Sequence, residues 1–176
     1  MDKRPLTGEP VALDLVNTRW PEHGVLRDHL AEPGHVGGWL AEHGLAAAPT
    51  AEEAGGSEAV GAALIVVREA IRAALEQADF GPVSAVLDRG RLRLGIDRDG
   101  PVEHVEVDEP AWYAAWQIAR AYTELVRTAD PARIRRCANP ECTLWFHDVS
   151  RNGRRRWCSM TGCGNRAKAR AHYARR

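Results

Sequence analysis

Cys137, Cys142, Cys158 and Cys163 fall in the pattern C-x4-C-x15-C-x4-C within the last forty residues of the chain. Two close pairs separated by a short stretch can present four thiolates to one tetrahedral Zn²⁺, and a site with all four positions filled is structural and not hydrolytic. An iron–sulfur cluster, a redox-switching thiol set and disulfides are the other chemistries these residues allow. His147 and His172 could each replace a cysteine as ligand, although four regularly paired cysteines make that unnecessary. So short a segment cannot bury enough apolar surface to fold unaided. Metal binding is then its folding energy, of order 10 kcal/mol or more.

The same region is strongly basic. Residues 133–176 hold twelve Lys and Arg against Glu141 and Asp148, a net +10, and residues 1–132 carry the compensating −10 behind a formal net charge of zero. Such asymmetry points to a polyanionic partner for the tail; docking of the tail on its own acidic body is the alternative. Arg151, Arg154, Arg155 and Arg156 form one group on a turn, and Arg166, Lys168, Arg170, Arg175 and Arg176 a second on a helix. Guanidinium forks match phosphate oxygens and guanine edges, and a helix fits the major groove, so DNA is the leading partner. RNA is the first rival, with Trp145, Phe146, Trp157 or Tyr173 stacking on unpaired bases. A thiol-based redox or zinc sensor is the second. No nucleophile with a paired base, no phosphate-cradling glycine loop and no open metal position is visible, so no enzymatic activity is expected.

These groups need elements to hold them. The Asn139-Pro140 dipeptide favours a turn that brings the first two thiolates together, Leu144 to Phe146 form a short strand roofing the metal, and Arg151 to Arg154 reverse the chain. After Cys158 a helix is expected, with Cys163 in or just before its first turns. A 3.6-residue period then puts Cys163, Ala167, Ala171 and Ala174 on a face toward the metal, and Asn165, Lys168, His172, Arg175 and Arg176 on the opposite face. Arg166, Arg170 and Tyr173 lie between, so Lys168, Arg175 and Arg176 are better placed for nucleic acid than Arg166.

Upstream, Val11–Val16 is a short helix stopped by Asn17, Thr18 and Pro21, and Val36–His43 is another, with Gly44 as its stop. Residues 46–57 read as a loop. From Glu58 to Ala78 apolar residues recur at three- and four-residue steps in a long amphipathic helix. Alternating runs around Leu92–Ile96 and Val105–Val107, with Asp99-Gly100 between them, form a β-hairpin. Asp108 is expected to cap a second long helix whose Trp112, Trp116 and Tyr122 stripe is core, and Asp130-Pro131 ends it near a boundary at residue 132. Asp14, Asn17 and Thr18 are the candidate small-molecule site of this body, or simply the cap that ends a helix. The expected fold is a mainly α domain with a β-hairpin (α+β) over residues 1–132. A small treble-clef-like or zinc-ribbon-like module follows at 133–176.

No apolar run approaches the ~18 residues needed to cross a bilayer, and the interrupted apolar stretch around Asp14 is no signal peptide. Four clustered cysteines then suit the reducing cytoplasm.

Cys163-Gly164-Asn165-Arg166 spells the signature of the CGNR zinc-finger family, and Arg135 to Arg176 resembles that finger throughout. Ala12-Leu13-Asp14-Leu15-Val16-Asn17-Thr18 resembles the opening of the ABATE domain that commonly precedes it in bacterial proteins. The resemblance implies a stress-associated transcriptional regulator with one zinc ion on the four cysteines and a finger that binds DNA. It makes Asn165 and Arg166 either base readers or struts of the metal site. A single finger offers few base contacts, so a homodimer on a paired site is expected.

Overall fold

The computed structural model describes residues 4–45 and 56–174. In chain order its elements are α1 (Val11–Val16), β1 (Arg19–Glu22), β2 (Val25–Asp28), α2 (His35–Glu42), α3 (Ser57–Gln77), α4 (Gly81–Leu87), β3 (Gly90–Asp97), β4 (Gly100–Val107), α5 (Tyr113–Thr128), β5 (Ile134–Arg136), β6 (Trp145–His147) and α6 (Asn165–Tyr173). They fall into two compact units: a continuous one, Leu30–Thr123, and a split one made of Met1–His29 with Glu124–Arg176. Of the loop expected at 46–57, residues 46–55 lie outside the described residues, and Ser57 already opens α3. Among the described residues no helix is long and apolar enough to cross a membrane.

In the continuous unit α3 buries Leu64, Val67, Ile71 and Ala74, the three- and four-residue spacing of one helical face. Helices α2 and α4 and the 3₁₀ turn Pro110–Trp112 pack against α3. Strands β3 and β4 pair antiparallel from Gly90↔Val107 to Asp97↔Gly100, closed by a tight turn at Arg98-Asp99, one residue before the expected Asp99-Gly100, in which Asp97 Oδ1 accepts from the Asp99 N–H at 2.8 Å. The hairpin root lies on α5. A Cβ at Gly90 would sit 2.7 Å from the Glu106 carbonyl and 2.8 Å from the Trp116 ring, so only glycine fits. Trp116 is thus core, and its Nε1 donates to the Leu87 carbonyl at 2.9 Å. The expected Asp108 cap is not formed. Glu109 occupies the cap position without a side-chain hydrogen bond, and Pro110 opens the 3₁₀ turn that leads into α5.

In the split unit α1 is buried from Ala12 to Val16. Strands β1 and β2, which the sequence did not announce, pair through a His23-Gly24 turn with φ of 51° and 79°. Positive φ at both central residues matches the twist of a two-residue hairpin. Pro21 reads as a stop in sequence, yet a two-stranded ribbon tolerates proline because it consists of edges. Asp130 accepts from the Ala132 N–H at 2.9 Å and stops the chain after α5 as expected. Strand β5 then pairs antiparallel with β6, Ile134↔His147 to Arg136↔Trp145.

Candidate metal centre and nucleic-acid interface

The β5–β6 ladder continues through the Cys137 N–H, which donates to the Leu144 carbonyl at 2.9 Å. The Cys142 N–H donates to the Asn139 carbonyl at 2.9 Å and closes the turn that pairs the first two thiolates. A third segment comes alongside where the Ala138 N–H donates to the Arg156 carbonyl at 2.8 Å, delivering Cys158. The chain then enters a π-helical turn, Met160–Gly164, in which Ser159 Oγ accepts from the Gly162 N–H at 3.2 Å, and this turn carries Cys163. Two ligands from a knuckle and two from the start of a helix is the treble-clef-like arrangement.

All four cysteines are buried, and their Sγ atoms lie within 4.8 Å of one another. Cys142 and Cys158 Sγ are 3.8 Å apart, which is about the edge of a tetrahedron with Zn–S bonds of about 2.3 Å. The donor set, burial and spacing fit one structural zinc ion with no open position. His147 and His172 are outside this cluster: His147 lies in β6, and His172 packs edge-on to Tyr173 at 5.9 Å.

Charge around the thiolates is managed by N–H groups. Cys163 Sγ accepts from Arg166 Nη2 at 3.1 Å and from Asn139 Nδ2 at 3.5 Å, and Arg170 Nη2 donates to Asn139 Oδ1 at 2.5 Å. Four thiolates on Zn²⁺ carry two net negative charges, and Arg166 offsets one of them. The Cys163 sulfur holds the Arg166 guanidinium pKa above its ordinary value. Burial pushes the Cys137 thiol up. In the metal-free cluster Cys142 falls to about 5, chiefly through the hydrogen bond from Cys158, and the same contact raises Cys158. Zinc removes that difference by taking all four as thiolates.

The N-terminal segment completes this centre. Leu6 and Trp20 pack with the four cysteines, Leu144, Phe146 and Trp157 in one cluster. The Asn17 amide spans the backbone of β6, accepting from the Trp145 N–H at 2.9 Å and donating to its carbonyl at 2.8 Å. Glu9 accepts from the His147 N–H at 2.9 Å and pairs with Arg155 at 3.0 Å. The other two residues of the candidate ligand group are also fully buried. Asp14 pairs with Arg4 at 2.5 Å, and Thr18 Oγ1 donates to the Leu15 carbonyl at 2.7 Å.

Residues 133–176 match the CGNR zinc finger family, and residues 9–129 match the ABATE family, described as "Putative stress-induced transcription regulator". The chain belongs to the ABATE family and ends in a CGNR finger. No curated protein matches it. The ABATE match begins at residue 9, so its first part lies in the same compact unit as the CGNR finger.

Within the CGNR signature, a Cβ at Gly164 would stand 2.8 Å from the Met160 sulfur and 3.4 Å from Trp157, so the residue permits a close approach relieved only if Met160 moves. Asn165 is exposed and its Nδ2 donates to the Thr161 carbonyl at 3.4 Å. The basic residues of the CGNR finger separate into two sets. Arg155 stacks over Phe146 at 4.2 Å and donates to the Cys158 carbonyl at 2.7 Å. Arg133 holds the Asp148 and Ser150 carbonyls, each at 2.9 Å, and Arg135 the Ala132 carbonyl at 2.5 Å. Arg170 also pairs with Glu141 at 3.4 Å. Against these, Arg151, Arg154, Arg156 and Lys168 are exposed and make no ion pair with any described residue; Arg156 lies 5.2 Å from the Trp157 ring. Arg175 and Arg176 lie outside the described residues. Arg133 and Arg135 were not singled out in sequence, and Asn139 was read there as a turn residue and not as a partner of the Cys163 sulfur. Only the position of Asn139 between two cysteines offered a hint.

Helix α6 departs from the expectation of a buried alanine face. It buries no residue, with Ala167 half-buried and Ala171 exposed.

Proposed function

We propose that this chain is a cytoplasmic transcription regulator that holds DNA through the exposed cations of its zinc finger. Family membership supports the regulatory reading. The observation that carries the DNA reading is the sorting of the tail's cations: six arginines, Arg136 among them, are engaged by the fold and the metal centre, while Arg151, Arg154, Arg156 and Lys168 face solvent without a carboxylate partner among the described residues. Exposed guanidinium and ammonium groups of this kind meet phosphate oxygens and release counterions. The function is one of binding and not of catalysis, and two copies on a paired site would supply the contacts that one finger lacks. In this reading Asn17 holds the finger, and Asp14 and Thr18 tie the N-terminal segment that carries it, without an effector.

Binding of the zinc-loaded protein to duplex DNA, measured across salt concentrations, tests this. Arg154→Ala should weaken binding and reduce the salt slope by about 1. A slope unchanged in Arg154→Ala and in Lys168→Ala would remove the proposed surface, and affinity for the protein's own promoter no better than for random DNA would remove its sequence specificity. Single-stranded RNA serves as the competitor. Trp145 and Phe146 are buried, which leaves Tyr173, 72% exposed, as the freest aromatic for stacking on bases.

A further inference from the structure

Thiolates on one zinc ion differ in nucleophilicity, because each N–H donated to a sulfur draws charge from it. Here the donors are unevenly shared. Cys137 takes the N–H of Cys158 at 3.4 Å and that of Asn139; Cys142 takes the Leu144 N–H; Cys163 takes Arg166 and Asn139. Cys158 Sγ receives no N–H from any described residue, and its polar contact is the Cys142 sulfur at 3.8 Å. The amides that follow it turn elsewhere: Gly162 N–H to Ser159 Oγ at 3.2 Å and Gly164 N–H to the Ser159 carbonyl at 2.9 Å.

Access is uneven too. A cavity of about 690 Å³, walled on one side by Trp20, Pro21 and His23, is lined by Cys142, Cys158 and Cys163, and Cys137 is not among its lining residues. We propose that Cys158 is a covalent modification site, the zinc thiolate that reacts first with small soft carbon electrophiles entering through this cavity. The sulfur lone pair attacks the electrophilic carbon, an S–C bond forms, and the leaving group departs with its bonding electrons. The anionic thiolate becomes a neutral thioether, so the four-thiolate set loses one charged ligand and the fold loses part of its metal-derived stability. The proposal stands on the zinc centre alone and is independent of what the tail binds.

The test treats the full-length zinc-loaded protein, with zinc in slight excess, with sub-stoichiometric iodoacetamide. Labelled positions are read by peptide fragmentation, which separates Cys158 from Cys163, and released zinc by a chromophoric chelator. Cys158 should hold more than half of the first label, with zinc leaving in step. Label concentrated on Cys137, Cys142 or Cys163, or shared evenly, overturns the proposal. In Arg166→Ala, which frees Cys163 from its strongest donor, the Cys163 share should rise toward that of Cys158. An unchanged distribution would show that N–H donors do not set the order.

Discussion

Asn17 occupies both backbone groups of Trp145, so its removal would orphan two buried polar groups. Each costs about 1–3 kcal/mol. Asn17→Ala should therefore destabilise the zinc-loaded protein by about 2–5 kcal/mol, seen as a lower denaturant midpoint in tryptophan fluorescence. Asn17→Asp should fare little better, because a carboxylate cannot donate to the Trp145 carbonyl. Arg166 acts on the metal through Cys163, and Arg166→Ala should lower zinc affinity about 10- to 100-fold in chelator competition. Unchanged zinc affinity with weakened DNA binding would instead make Arg166 a base reader. The cysteines were legible because their spacing is itself the chemistry. The arginines were not, since Arg155 and Arg151 are alike in sequence and differ only in whether Phe146, Glu9 and the Cys158 carbonyl are within reach. Asn17 shows the same limit: it ends α1 as the expected cap, but the partner of its side chain lies 128 residues away.

Elements with strong periodicity were readable, as α3 and the β3–β4 hairpin show. Short ones were readable only where breakers bounded an apolar run, as at α1 and α2; α4 spans seven residues and β1 carries a proline, and neither was read. The inward alanine face of α6 fails for a geometric reason. Its projection starts at Cys163, which sits in a π-turn bonded i→i+5, so a 3.6-residue period loses phase before α6 begins. At the hairpin root, Gly90→Ala would drive a methyl group into the Glu106 carbonyl and the Trp116 ring. The expected cost is about 1–3 kcal/mol of overpacking, measurable by denaturant unfolding, with zinc affinity unchanged because the site belongs to the other unit.

At the scale of the whole chain, a boundary near residue 132 follows from composition and charge, yet the compact units divide elsewhere, because residues 4–29 share a core with the metal centre. Chelating the zinc should therefore strip hydrogen-exchange protection from α1, β1 and β2 together with β5 and β6, while α3 and α4 keep theirs. Protection persisting in α1 after zinc removal would show that the N-terminal segment holds without the finger. The split also orders events during synthesis. Residues 4–29 leave the ribosome with their apolar side chains uncovered, and all of Leu30–Thr123 is made before the segment that covers them appears. At about 5–20 residues per second that interval is on the order of 5–20 s, so the continuous unit has time to fold before the newborn chain can close around its metal.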